Sequence, residues 1–354
     1  MEDTDDLLRM IRDSADAVGA KGEVKRVREL RFAGAGHDRA MWQQMAELGW
    51  VGLLVPEERG GLGLGVEALT AIAEELGARI APEPLIESAV AASLLDGEAL
   101  EAALGGRSLV LLAWQDQPNV IVPDEGMTFA DGKVDGSRRF VLGGEGADGF
   151  LVLTPSAAAL VGKDAPGLAL ATEPTQDGGR YAALRFDRAT AAPVAVTAER
   201  IAEALDVAAL GTAAYLLGLT DQAFAMTLDY LRTRVQFGKV IGTFQALQHR
   251  AADLSVQIAL TRASINDAAR IVAGGASADE RAAAVSRAKA RAADVALLVT
   301  RQAIQLHGGI GFTDEHDIGL FLRRAMVLAN AYGSAALHRA RYSRLLGSAL
   351  SDAA

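Results

Sequence analysis

Two long stretches near the C-terminus step their apolar residues by sevens and fours, and this rhythm constrains the fold more than any other feature. Leu247, Leu254, Ile258, Ile265 and Val272 stand 7, 4, 7 and 7 residues apart, which gathers them on one helix face. After a short loop, Ser277-Ala278-Asp279-Glu280 reads as a capping box opening the next helix, which runs to about His307. Along it Val285, Ala292, Val299 and Leu306 again step by sevens. Two long helices joined by a short loop form an antiparallel pair, and a four-helix bundle is the economical way to cover both apolar faces.

The rest of the chain has a different texture. Residues 1 to about 100 read as helical, with an amphipathic segment over 39–49 that sets Met41, Met45 and Leu48 at helical spacing beside Trp42. A Pro/Gly-rich break over 55–65 follows, then a helix from about 66 to 77, and Pro82 and Pro84 interrupt the next stretch. From about 107 to 196 the apolar runs become short, at 109–113, 140–142, 150–153 and 168–171, and turn signals such as Asp131-Gly132, Gly143-Gly144 and Pro166-Gly167 separate them. That is the pattern of an antiparallel β domain. The expected architecture is α+β multidomain: an N-terminal helical domain over 1–105, a middle antiparallel β domain over 106–197, and a C-terminal helical bundle over 198–354.

Composition narrows the chemistry. Aromatic residues are only 5% of the chain, so the cores are built mainly from Ala, Leu and Val. There is no cysteine, which removes disulfides, thiolate nucleophiles and Cys-ligated metals. The five histidines (His37, His249, His307, His316 and His338) show no close metal-ligand spacing, and no metal is expected. A net charge of −10 without a basic block argues against nucleic acid. No run approaches the roughly 20 apolar residues of a membrane span, and the opening Met-Glu-Asp-Thr-Asp-Asp is acidic, unlike a signal peptide. The cytoplasm is the default location.

Three segments could carry chemistry. The glycines between Gly60 and Gly65 lack a surrounding βαβ unit and read as a helix-to-helix turn. Residues 232–239 place Arg232 and Arg234, then Phe237, Gly238 and Lys239, at the end of an apolar helix. Guanidinium forks suit phosphate oxygens and a phenyl ring can cover an adenine; the same residues also make an ordinary basic helix C-terminus. In 305–312, Gln305 offers donor and acceptor, and Gly308, Gly309 and Gly311 allow a ligand close to the backbone or serve as a glycine-rich cap. His307 reads as a helix-end hydrogen-bond donor rather than a base.

These pieces together resemble the acyl-CoA dehydrogenases. Arg234-x-x-Phe237-Gly238-Lys239, then Phe244-Gln245, then Gln305-x-x-Gly308-Gly309-x-Gly311-Phe312 look like that family's C-terminal domain. The stretches 42–50 and 55–61 are similar to its first domain, and Gly132-x-x-x-Gly136-Ser137-Arg138-Arg139-Phe140, Leu184-x-Phe186-Asp187 and Pro193 to its β domain. The resemblance implies a tetramer built from dimers, with FAD at a subunit boundary and an acyl-CoA thioester undergoing α,β-dehydrogenation. It implies that Arg234 contacts the pyrophosphate and Phe237 the adenine end. It further implies that Gln305, Gly308 and Gly309 line the dinucleotide from the partner side, with Gln245 in support.

The chain departs from the family where the chemistry is done. The usual base is a Glu in a Tyr-Glu-Gly-Thr element, and here Tyr332 stands in its place within Asn330-Ala331-Tyr332-Gly333-Ser334. The alternative site for that Glu is occupied by Ala208, with Asp206 two residues away, on the wrong side of a helix. A phenol with its ordinary pKa near ~10 is a poor substitute for a carboxylate. The acidic Glu-Pro-x-x-Gly-Ser element of the middle domain is replaced by residues 113–119, Ala-Trp-Gln-Asp-Gln-Pro-Asn, and Phe140-Val141-Leu142-Gly143 stands where Trp-x-Thr/Ser is usual. The expectation is a non-catalytic subunit that completes a homologous partner's FAD site in a heteromeric tetramer. The alternatives are a homotetrameric dehydrogenase with Asp206 or Glu203 as base, a flavin-dependent monooxygenase, and a helical scaffold without FAD.

Overall fold

A computed structural model describes residues 2–352; Met1, which opens the acidic leader, and Ala353 and Ala354 lie outside the described residues. The helices of the first part are α1 (Glu2–Ser14), α2 (Lys25–Leu30), α3 (Arg39–Glu47), α4 (Gly65–Ala78), α5 (Leu85–Leu94) and α6 (Gly97–Leu104). Eight strands follow: β1 (Val110–Ala113), β2 (Met127–Ala130), β3 (Lys133–Leu142), β4 (Gly149–Leu153), β5 (Ala158–Gly162), β6 (Leu168–Pro174), β7 (Arg180–Thr190) and β8 (Ala192–Val194). Then come α7 (Ala198–Thr233), a small hairpin of β9 (Val235–Gln236) and β10 (Lys239–Val240), α8 (Gln245–Ala273), α9 (Ala278–His307), α10 (Ile318–Leu328) and α11 (Ala335–Asp352). The order is helices, strands, helices, as the sequence pattern predicts.

The chain divides into two compact units, one of Met1–Arg26, Thr70–Ala81 and Leu210–Ala354, the other of Val27–Leu69 and Pro82–Ala209. This is a different partition from the three blocks of sequence, because the N-terminal block contributes to both units.

In the second unit the strands form two four-stranded sheets, ordered β1-β4-β5-β8 and β2-β3-β7-β6. The pairing is antiparallel except for β1 and β4, which run parallel from Val110↔Gly149 to Ala113↔Val152. Both of these strands are buried along their whole length, which is why they read as unbroken apolar runs. By contrast β7 alternates, with Ala182, Leu184 and Phe186 inward. Asp131 (φ +51°) and Gly132 (φ +67°) make the two-residue turn between β2 and β3 that the Asp-Gly pair signals. On α3 the buried residues are Trp42, Met45 and Ala46, whereas Leu48 is exposed; the Trp42 indole N–H donates to Ser88 Oγ at 3.2 Å and turns the helix toward α5. The glycine cluster after α3 is a turn. At Gly61 a Cβ would fall on the Val55 carbonyl oxygen, so no side chain fits there.

In the first unit α9 is the central helix, packed against α8, α10 and α11. Ser277 Oγ accepts from Glu280 N–H, and the Glu280 carboxylate accepts from Ser277 N–H, closing the expected capping box. Val285, Ala292, Val299 and Leu306 are all buried. On α8 Leu254, Ile258 and Ile265 are buried, and Thr261, Ala268 and Ala269 complete that face. The C-terminal part of α4 crosses α7 closely: a Cβ on Gly77 would meet the Tyr215 carbonyl, and one on Gly218 the Glu74 carbonyl. One expectation needs correction: α7 is long and apolar enough, by length and composition, to cross a bilayer, although 89% of its most apolar window is buried within the protein. Its hydrophobicity follows from its place in the core.

Candidate functional site

The arginine segment begins where α7 stops. Arg234 is the first residue beyond the helix, its backbone N–H bonded to the Tyr230 carbonyl at 2.9 Å. Its side chain is exposed and holds no ion pair or hydrogen bond among the described residues. Phe237 and Gly238, at φ +54° and +80°, form the tip of the β9–β10 hairpin, and Phe237 is 88% exposed. Its ring meets Phe244 edge-on at 6.2 Å, and Lys239 Nζ lies 4.3 Å above the Phe244 ring. Gln245, the next residue, is the exposed first residue of α8. At Gly242 a Cβ would stand 2.7 Å from the Leu231 carbonyl oxygen, so the hairpin returns tightly onto the end of α7.

The glycine segment ends α9. Gln305 is exposed and its carbonyl accepts the Gly308 N–H. Gly308 takes φ +64°, ψ −142°, a conformation that essentially only glycine adopts. A Cβ on Gly308 or on Gly309 would meet nothing within 4 Å, so both backbones border open space. Ile310 and Phe312 are exposed beside them. His307 is buried; its Nδ1–H donates to the Ala303 carbonyl at 2.7 Å, the helix-end role expected of it. Burial, with the neighbouring His316, lowers the His307 pKa against the opposing pull of that hydrogen bond. The two segments share one end of the first unit, since Tyr230 of α7 stacks on His307 of α9 at 4.5 Å and 28°. Among the predicted cofactor residues, Arg234, Phe237 and Gln245 thus stand on one arm, and Gln305, Gly308 and Gly309 on the other.

The segment where a base would stand is fixed from below. Tyr332 is buried, at 7% exposure, in the left-handed region at φ +56°. Lys289 is fully buried on α9, and its ammonium donates to the Ala329 and Gly333 carbonyls at 2.9 and 3.2 Å. Loss of solvation pulls its pKa down to about 7. His338 of α11 donates from Nε2 to the Tyr332 carbonyl at 2.8 Å and lies 3.2 Å from Ser286 Oγ through Nδ1. Burial and the nearby Lys289 charge lower it to about 4. Three carbonyls of one short loop are thereby held by two buried nitrogen bases. Sequence reasoning missed both, although a lone Lys four residues after Val285, inside the apolar stripe, is the signal that marks the first. Elsewhere, Asp206 is buried at 3% exposure, and Glu203 pairs with Arg200 at 2.6 Å on the surface.

In the second unit, the loop between β1 and β2 is closed by its own groups. Asp124 Oδ2 accepts the backbone N–H groups of Asp116 and Gln117, and Asp124 N–H returns to the Trp114 carbonyl at 3.3 Å. Trp114 is buried and Arg138 wholly so; the Arg138 guanidinium donates to the carbonyls of Asp124 and Leu153, each at 2.7 Å. Desolvation brings Arg138 down to about 10, with Asp124 and Asp116 opposing, so it is cationic at neutral pH. On β3 the register shifts between Arg138 and Val141. Phe140 occupies the bulge at φ +61°, its ring edge-on to Tyr181 at 5.9 Å.

Residues 198–346 match the family described as "Acyl-CoA dehydrogenase, C-terminal domain", and residues 5–96 match "Acyl-CoA dehydrogenase, N-terminal domain". The acyl-CoA dehydrogenase IpdE2 of Mycolicibacterium smegmatis is 32% identical over 92% of this chain and 94% of its own length. The chain belongs to the acyl-CoA dehydrogenase family. Proteins named in this way are oxidoreductases acting on CH–CH bonds. Among solved structures, the Tcur3481–Tcur3483 steroid acyl-CoA dehydrogenase is similar at a TM-score of 0.88, with 27% identity covering 98% of this chain and 99% of that one. The ChsE4–ChsE5 complex of Mycobacterium tuberculosis is similar at a TM-score of 0.83, with 26% identity and 98% of each chain covered.

The two regions give opposite answers when tested for the family's FAD. At the arginine–glycine end an unengaged guanidinium, an exposed phenyl ring and open backbone at Gly308 and Gly309 suit a nucleotide with its phosphates. In the β1–β2 loop Asp124 Oδ2 and the terminal nitrogens of Arg138 are spent on backbone groups. The atoms left without a partner among the described residues, Arg138 Nε and Asp116 Oδ1, are buried rather than presented at a surface, which does not suit an approaching flavin ring.

Proposed function

We propose that this chain is the non-catalytic subunit of a heteromeric acyl-CoA dehydrogenase and completes the FAD site of a homologous partner that carries the base. The observation that carries this reading is the contrast between an exposed arginine–glycine end whose guanidinium is unengaged among the described residues and a β1–β2 loop where Asp124 and buried Arg138 bond mainly to backbone groups of their own chain. When bound, FAD supplies the hydride acceptor for α,β-dehydrogenation of an acyl-CoA thioester. The task of this chain is to hold one end of the dinucleotide. Arg234 would hold phosphate oxygens through its guanidinium fork, and Phe237 would cover the adenine. Gly308 and Gly309 would let the backbone approach, while Gln305 and Gln245 supply neutral hydrogen bonds. Tyr332, a phenol, stands where the resemblance puts the carboxylate base. Both solved structures described above carry two-component names, which supports a two-chain assembly; as an enzyme of this kind the tetramer would work in the cytoplasm.

The test is the flavin-to-protein ratio after co-expression with the homologous partner. One FAD per two chains is expected, with no dehydrogenation by this chain alone. One FAD per chain in the isolated protein, together with acyl-CoA dehydrogenation, would sink the reading in favour of a homotetramer using Asp206 or Glu203. Oxygen consumption with a flavin reductase would move it to a monooxygenase.

A further inference from the structure

We propose that Tyr230, His307 and His316 form a ring stack whose function is to position the arginine and glycine arms of the dinucleotide site as a single body; this rests on the FAD-completing reading above. Tyr230 lies one helical turn before Arg234, whose backbone N–H it binds through its carbonyl. Any movement of Tyr230 is therefore passed to the guanidinium arm. His307 directly precedes Gly308, and its ring lies nearly parallel to Tyr230, with centroids 4.5 Å apart. His316 lies 4.5 Å from His307 and presents its ring edge-on to Tyr230 at 6.4 Å. Three elements, the end of α7, the end of α9 and the loop before α10, meet in one aromatic cluster.

Both imidazole rings are oriented by hydrogen bonds. His307 is pinned by Nδ1–H donation to Ala303 at 2.7 Å. His316 Nδ1 accepts the Ile318 N–H at 3.1 Å, which leaves its proton on Nε2. The chain after Gly308 folds back tightly, since a Cβ on Gly311 would stand 2.6 Å from the Ile304 carbonyl and 3.0 Å from His307 Cβ. The Nε2 atom of His307 is buried without a hydrogen-bond partner among the described residues, at 2% exposure of the residue. A buried orphan acceptor is a cost that a plain apolar ring would avoid. The imidazole combines what a phenyl cannot: a flat face for Tyr230 and a donor that locks the last turn of α9.

The cluster is sensitive to acid. His316 is the charged or titratable group that acts on His307 from the 313–317 loop, Tyr230 faces it from α7, and the Ala303 carbonyl lies on its own helix. Burial followed by His316 lowers the His307 pKa from 6.5. The stability contributed by neutral His307 is therefore complete above about pH 6.5 and is lost as pH falls from there toward the lowered value.

The experiment uses the full chain in its complex with the co-expressed partner and has two readouts. One is hydrogen exchange at the backbone amides of 234–238 and 308–311 without FAD; the other is FAD affinity from flavin fluorescence at pH 7.5 and 5.5. Tyr230→Leu is expected to raise exchange in both segments together and to weaken FAD about tenfold, whereas Tyr230→Phe preserves both. His307→Phe keeps the flat face but loses the donor to the Ala303 carbonyl; it is expected to raise exchange at 308–311, to weaken FAD about threefold at pH 7.5, and to abolish the part of the acid loss that arises here. If Tyr230→Leu loosens one segment only, or leaves FAD affinity unchanged while Arg234→Ala lowers it, the stack does not position the site. If Arg234→Ala leaves FAD affinity unchanged, the FAD-completing reading is what fails, and coupled exchange of the two segments still decides the stack.

Discussion

The end of the first unit and the β1–β2 loop of the second, to which the proposed function gives opposite roles, differ in how their polar groups are engaged. At the first, the Arg234 guanidinium has no ion pair or hydrogen bond among the described residues, the Phe237 ring is 88% exposed with its edge contact to Phe244, and a Cβ on Gly308 or Gly309 would meet nothing within 4 Å. In the β1–β2 loop, Asp124 accepts two backbone N–H groups and Arg138 donates to the carbonyls of Asp124, Ser137 and Leu153, while Arg138 Nε and Asp116 Oδ1 are buried without a partner among the described residues. A group whose hydrogen bonds are satisfied inside its own chain has little left for a ligand, because exchanging one bond for another gains almost nothing. A group left bare at a surface still has its bond to give.

The variant expected to act most strongly on this comparison is Arg234→Ala. Losing charge-assisted bonds to phosphate should weaken FAD binding by the complex about 100-fold, read from flavin fluorescence titration. An unchanged affinity would show that the open end is merely a basic helix terminus. On the closed side, Asp124→Ala removes the acceptor of two backbone donors and the carboxylate whose charge most favours cationic, buried Arg138. We expect a loss of about 2 kcal/mol in a denaturant titration with bound FAD unchanged; a parallel loss of FAD would mean that this loop also holds cofactor. Gly309→Val sharpens the open side, because a Cβ at this position meets nothing within 4 Å. Folding should be unaffected by circular dichroism while FAD affinity falls about tenfold through lost backbone approach. The smallest effect is expected from Tyr332→Glu: the isolated chain should still show no acyl-CoA dehydrogenation in a dye-coupled assay. Activity from that single change would prove the flavin half intact and break the comparison.

How much of this was legible in the sequence depends on how local the signal is. The α8–α9 pair was readable from heptad spacing and the Ser277–Glu280 box, because both act within a few turns. The β2–β3 turn was readable from Asp131-Gly132. Leu48, counted with a buried face, is exposed, since the choice of face was made by Trp42 reaching Ser88 across the unit. The parallel pairing of β1 and β4 carried no local mark, and α7 passes for a membrane span until its burial is known. At the site, the motifs named Arg234, Phe237, Gln305 and the glycines, but not the residues that support them. Tyr230 and His307 are far apart in sequence, as are Lys289 and Gly333, and each pair meets only in the folded chain.

The sequence by itself determined the helix–strand–helix order, the capped pair of long helices, the residue types at the arginine and glycine arms, and the missing carboxylate at Tyr332. These follow from periodicity, capping and side-chain chemistry, all of which operate between near neighbours. Tertiary structure alone decided which polar groups would be spent on one another and which left open. Hydrogen-bond satisfaction is settled between residues distant in the chain, where one carbonyl receiving an Arg138 N–H, or one ring laid on His307, depends on how every element packs.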